Sequence, residues 1–168
     1  MNRYLAAVAG VLMVPIGARA QSAPLQHQHT APSLIDGSVH PELIPDSVAY
    51  RLYLVAVSTG QNPTAAELQG QRAHVLKIGL TDADQQIFIG IVSDFRSKYD
   101  ALVSAYNDSA KAAAARNEAT DVNLLLTQLD ALVQSTRATV GTQLSTQGAT
   151  KLNSFVLSEK KNMKVTED

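Results

Sequence analysis

"IFIGIVSDFRSKYDALVSAY", Ile87 to Tyr106, is the stretch on which the fold turns. Its opening, Ile87 to Val92, fits a buried strand when taken alone, being apolar and rich in β-branched isoleucine. The residues beyond Val92 decide for helix. Phe88, Val92, Phe95, Tyr99, Leu102 and Tyr106 recur at alternating intervals of four and three, the heptad-like seam of a helix packed lengthwise against another. No turn signal interrupts the run, so one helix carries it, and weaker positions at Ala110 and Ala113 extend it. The spacing predicts a helix from about Asp82 to about Arg116.

A second seam lies further along the chain. Thr120 is a candidate cap, and Val122, Leu126, Leu129, Val133, Thr136 and Val140 repeat the same spacing. Two seams of equal period joined by a short polar turn pack antiparallel. Three shorter helices are expected around this pair. "HPELIPDSVAYRLYLVAVSTG" approaches a first helix, Val48 to about Ser58, capped by Asp46 or Ser47; its Val48, Leu52 and Val55, with Tyr50 and Leu54, make a broad apolar surface that needs cover on more than one side. "TGQNP" stops that helix, Thr64 starts a second, and Gly79 ends it as a glycine C-cap. A fifth helix follows Ser145, turns Leu152, Phe155, Val156 and Met163 inward, and ends in "EKKNMKVTED" with lysines near its negative dipole end. The expected fold is all-α, a helical hairpin or bundle of about five helices built on a long central antiparallel pair.

The two ends of the chain read differently. "MNRYLAAVAGVLMVPIGARA" over 1–20 has the basic start, short apolar run and small-x-small ending of a cleaved signal peptide. Its apolar run is too short to span a bilayer, and no later stretch reaches that length. Residues 21–40 hold three histidines and few large apolar side chains and read as a flexible leader, which leaves 41–168 as the helical domain. The protein is expected in the periplasm or secreted, with no integral membrane segment after cleavage. It has no cysteine, so no disulfide or lipid-bearing cysteine supports it there, and the core alone must hold the fold. Losing Arg3 and Arg19 with the signal peptide leaves a small acidic excess and no basic face of the kind that binds nucleic acid.

Two of the helix openings are alike. In "LTDADQQ" Leu80 precedes Thr81, a candidate N-cap, with Asp82 and Asp84 in the first turn; in "LSTQGAT" Leu144 precedes Ser145, with Gly148 three residues on. Capping alone accounts for both, with the leucines folding back as hydrophobic staples. The arrangement also resembles the Leu-Thr-x-x-Gln openings of the small periplasmic stress proteins of the Spy and CpxP type, over Leu80 to about Lys164. Asp84 and Gly148 stand at the motif's Gln position in the two copies, and Gln85 lies one residue late. The resemblance implies long paired helices forming a cradle-shaped dimer that holds unfolding proteins or senses envelope stress without ATP.

Catalytic chemistry finds little support. There is no nucleophile elbow, no metalloprotease His-Glu-x-x-His, no phosphate-binding glycine loop and no cysteine nucleophile, so neither catalytic residues nor a cofactor are expected. His74 reads as a surface histidine, and Asp82 and Asp84, two apart on a helix, point away from each other. "NDS" at Asn107–Ser109 matches a glycosylation sequon but falls within a predicted helix. The one metal hypothesis is a weak zinc or copper site from His27, His29 and His40; the competing reading is a polar leader with no metal. Ile87, Ile89 and Ile91 lie partly off one seam, and Leu124 and Leu125 off the other, as candidates for a homodimer interface or a surface for unfolded clients. The expected function is non-enzymatic binding in the envelope, sharpest as an ATP-independent chaperone or stress sensor. A structural or interaction module, or a metal-binding envelope protein, is the alternative.

Overall fold

The shortest of the five α-helices is the one most nearly surrounded. Helix α1 (Asp46–Val57) exposes only Asp46 and Ala56, as its largely apolar sequence demands. It buries Ala49, Tyr50, Tyr53, Leu54 and Val57, while Val48, Leu52 and Val55 are half-buried against the same core. The computed structural model describes residues 34–166. The expected signal peptide over 1–20, the leader over 21–33 with His27 and His29, and the last two residues lie outside the described residues.

The described residues are all-α, with four further helices: α2 (Ala65–Ile78), α3 (Asp82–Ala115), α4 (Val122–Gln143) and α5 (Thr146–Glu159). Helices α3 and α4 form the long central pair, and α1 packs on α3, α4 and α5. The stretch 87–92 is helix throughout, as its continuation into the seam required. Capping sets most of the boundaries. Thr64 and Glu67 close a reciprocal capping box on α2, whose C-cap Gly79 takes a left-handed φ of 74° that glycine adopts without strain. Two caps differ from expectation. Asp121 rather than Thr120 caps α4, accepting from Asn123 N–H at 2.9 Å. Helix α1 starts after Pro45 with no side-chain cap, since proline fixes the approach and Asp46 is itself helical.

Order begins earlier than the expected boundary. Leu34–Asp36 (β1) pair antiparallel with Lys164–Thr166 (β2), so residues 34–40 belong to the folded unit and the end of the chain leaves the helix after Glu159. Three-residue strands are too short to show alternation in sequence. The ribbon is anchored by the buried Met163 and Ile44, by Asp36 to Lys164 at 2.9 Å, and by Lys160 reaching Asp46 at 2.6 Å across the start of α1.

The seams are buried over only part of their length. Phe88, Val92 and Phe95 are fully enclosed, as is Val133 opposite, but Tyr99, Leu102 and Tyr106 are half-covered. The core cluster contains no buried residue between Phe95 and Leu132. Helix α3 runs on past Leu102 for about 20 Å at 1.5 Å per residue. This distal hairpin, 103–128, forms an arm in which Ala113 is the buried contact and Leu129 closes the base.

Candidate functional site

The two similar helix openings meet in space, and the meeting explains why each departs from the other. Thr81 Oγ1 accepts from Asp84 N–H at 3.2 Å and Ser145 Oγ from Gly148 N–H at 3.0 Å, so both are working N-caps, and Leu80 and Leu144 behind them are buried. In a capping box the carboxylate three residues into the helix returns to the N–H of its own cap. Helix α2 does this: Thr64 N–H donates to Glu67 Oε2 at 2.7 Å. Asp84 holds the same position in α3 but serves the other helix. Its Oδ1 accepts from Ser145 N–H at 2.8 Å and its Oδ2 from the Ser145 hydroxyl at 2.7 Å, across 61 residues of sequence.

Helix α5 brings no side chain of its own to that position. Its third residue is Gly148, where a Cβ would fall 2.5 Å from Asp84 Oδ2 and 2.8 Å from Cγ. One carboxylate occupies the place of two, and the glycine makes room for it. The positive ends of two helix dipoles converge here, and an anion between them offsets their repulsion. Lys151 ties the same junction to the end of α2, donating to the Gly79 carbonyl at 2.7 Å.

The electrostatics hold the junction as a clamp between the two helices. The backbone and hydroxyl hydrogen bonds from Ser145 hold the Asp84 carboxyl below the ordinary carboxylate range, against the opposing effect of burial, with Thr81 adding a further hydrogen bond. A carboxylate stabilised in this way is a weak base. The Ser145 hydroxyl is engaged on both sides, and a nucleophile needs a base close at hand. Asp82 is exposed in the same first turn.

Beside the junction an open groove of about 770 Å³ runs between α2 and α5. Ile78 and Phe155 give it apolar lining, and Thr146, Thr150, Ser154 and Ser158 follow one another along α5 at intervals of four. That hydroxyl row is legible in the sequence as a helix stripe. The sequence does not show that α2 stands off far enough to leave a groove beside it.

The expected surface residues scatter. Ile87 is 38% exposed near the start of α3, and Leu124 is 60% exposed near the start of α4, with Leu125 half-covered beside it. Ile89 packs half-buried on the core. Ile91 is buried at 6% exposure and belongs to the core of this protomer rather than to an exposed face. The reason is periodicity: Ile91 is three residues after Phe88 and four before Phe95, so it widens the seam's own stripe. Ile87 and Leu124 sit on different ends of the hairpin and make no common patch, since Leu124 lies about 24 Å along α4 from Val140, which is beside the core. Sequence reasoning also missed the apolar exposure of Val122 on α4, of Leu68 and Leu76 on α2, and of Leu34, Val39 and Leu43 near the ribbon.

Of the histidines proposed as metal ligands, His40 is exposed and its Nδ1 lies 3.0 Å from Glu42 Oε1. Among the described residues no group of three His, Cys, Asp or Glu side chains is close enough to hold an ion. None of the described helices is long and apolar enough to cross a membrane. No family model matches the chain, and neither a curated protein nor a solved structure matches it.

Proposed function

We propose that this is an exported, non-enzymatic binding protein that holds apolar segments of unfolding polypeptides without ATP, an envelope chaperone or stress sensor similar in kind to the Spy and CpxP proteins. One observation carries the reading: the arm at 103–128 leaves Val122 and Leu124 about half exposed and Val103, Tyr106, Leu125 and Leu126 only half covered. Apolar side chains held on a helical pair beyond an already filled core suit an extended, apolar ligand. The signal-peptide pattern of 1–20 supports a periplasmic or secreted setting, and the absence of a phosphate-binding loop motif supports an activity without nucleotide.

A second copy is the natural competitor for the same arm, because a two-helix arm completes a four-helix bundle by pairing with itself. The proposal therefore includes a homodimer that leaves part of each arm open. The test is aggregation of a heat-unfolding protein at near-stoichiometric ratios, followed by light scattering, beside sedimentation of the same samples. Wild-type protein delays aggregation, and Leu124→Asp lowers the delay while keeping its helical circular dichroism. If wild-type protein leaves the scattering curve unchanged at every ratio, the chaperone reading is wrong. If Leu124→Asp dissociates a dimer yet suppresses aggregation as well as wild type, the arm is an assembly surface.

A further inference from the structure

We infer that the pocket where α1, α4 and α5 meet binds an oxyanion, a carboxylate or phosphate group, through the guanidinium of Arg137. The inference goes beyond the chaperone reading and does not depend on it. Arg137, half-buried on α4, lies over the ring of Tyr50 with its guanidinium carbon 4.5 Å from the centroid. The guanidinium lies close enough to the Tyr50 hydroxyl to oppose the upward effect of burial on it, and its other N–H donors remain for an acceptor, arginine being suited to bidentate recognition of carboxylate and phosphate. Among the described residues Arg137 has no carboxylate partner, although Arg96 and Arg116 each have one. Asp46, whose charge reaches Tyr50 from the start of α1, is already paired with Lys160.

The rest of the pocket adds donors and no negative charge. It is an open pocket of about 440 Å³, and its polar lining besides Arg137 and Tyr50 comes from the amides of Gln134 and Asn153. The Tyr50 hydroxyl donates to Asn153 Oδ1 at 2.8 Å. That bond occupies the carbonyl end of the amide and leaves the Asn153 NH₂ as the group free to serve a ligand. A cation over an aromatic face, a primary amide oriented as a donor and no lining carboxylate describe a site selective for an anion. Gly141, exposed on α4, forms part of the wall.

The test is a ¹⁵N NMR titration of the full exported chain with sodium acetate, and separately with sodium phosphate, at constant ionic strength set by sodium chloride. The reporters are the Arg137 Nε–H and Asn153 Nδ2–H signals. Binding predicts shifts that saturate with at least one of the two anions. Acetate alone identifies a carboxylate site, phosphate alone a phosphate site, and both a general oxyanion site. Arg137→Gln should remove the saturation from the Asn153 signal, and Arg137→Lys should not restore it, because lysine lacks the planar fork. Asn153→Asp keeps the arginine and the acceptor for the Tyr50 hydroxyl while replacing the amide donor with a negative charge, and should weaken the apparent affinity, read from the Arg137 signal, at least about tenfold. Shifts that stay linear and match those in chloride for both anions, or saturation unchanged in Arg137→Gln and Asn153→Asp, would overturn the assignment.

Discussion

The base of the central hairpin and its arm are written in the same sequence pattern and have different fates. At the base Phe88, Val92 and Phe95 face Val133 and Val140, with α1 and α5 closing over them. Further out Tyr99, Leu102 and Tyr106 keep the spacing, yet each is left partly open. Periodicity states that a helix has an apolar face. It does not state how many neighbours will arrive to cover that face, because cover is supplied by α1, α2 and α5 from distant sequence. An unbroken seam can therefore hold the core together at one end and present a surface at the other.

The largest effect that can test this contrast is in the base. Phe95→Ala removes a side chain of which 1% is exposed, and should cost about 3–5 kcal/mol. Leu129→Ala, at the border of the arm, should cost about 2–3 kcal/mol, and Lys98→Ala, whose ion pair with Asp94 is exposed, less than about 0.5 kcal/mol. Urea unfolding followed by circular dichroism gives all three. Equal losses at Phe95, Leu129 and Lys98 would show that base and arm do not differ as described.

The junction of α3 and α5 comes next. A methyl group at Gly148 meets the Asp84 carboxylate at 2.5 Å, so Gly148→Ala should destabilise by about 1–3 kcal/mol even though alanine is the better helix former. Removing the obstacle should reverse the sign. In an Asp84→Ala background the capping hydrogen bonds are already lost, and Gly148→Ala should then be neutral or stabilising. Such a double-mutant cycle isolates the pairing from the general cost of either change. Additive losses would mean that the two positions do not answer each other, and the exchanged capping box would fall with them.

Acid should strain the junction and the ribbon before it strains the arm. Asp84 is held low by its Ser145 hydrogen bonds, and Asp36 is lowered to about 2 by the Ser38 side chain, Lys164 and the Ser38 N–H. A folded-state value below the unfolded one stabilises the protein above the unfolded pKa and loses that contribution as pH falls through the folded pKa. For both groups the loss therefore starts near the ordinary value of 3.8 and proceeds downward. Thermal midpoints between pH 5 and pH 2, at roughly unit steps, should fall, and Asp84→Asn should start lower and fall less steeply. An identical slope in the variant removes Asp84 from the account.

The legible and illegible parts of the sequence divide along the same line, between what neighbours in the chain decide and what distant residues decide. Thr64, Thr81 and Ser145 are readable as caps, and Gly79 as a stop, because each acts on atoms within a few residues of itself. The seam likewise fixes α3 from its own spacing. The exchange between Asp84 and Ser145 spans 61 residues, so nothing local distinguishes Asp84 from an ordinary first-turn acid. A glycine at the cap's third position is visible, but its reason lies on another helix. Ile91 escapes a reading that treats the seam as a single line, because a helix in a closed core buries a wider stripe. The groove along α5 and the pocket at Arg137 are not legible at all, since each is a gap between helices.

The smallest expected effect concerns the arm itself and separates its stability from its use. With no residue of the main core beyond Leu102 on α3 or before Leu132 on α4, the arm is held by the facing helix and by its own backbone hydrogen bonds. Segments with few buried apolar contacts open locally at a lower free energy than the core to which they are joined. Amides between Val103 and Gln128 should therefore exchange with deuterium sooner than those between Phe88 and Phe95. Leu124, already 60% exposed, can lose little contact when replaced, so Leu124→Asp should shift global stability by less than about 0.5 kcal/mol. A dimer formed through the arms reverses the first expectation, because pairing protects those amides and the protection grows with protein concentration. Measuring exchange at two concentrations tells the cases apart: slow exchange independent of concentration would show an arm stable by itself, and the distinction between base and arm would then rest on exposure alone.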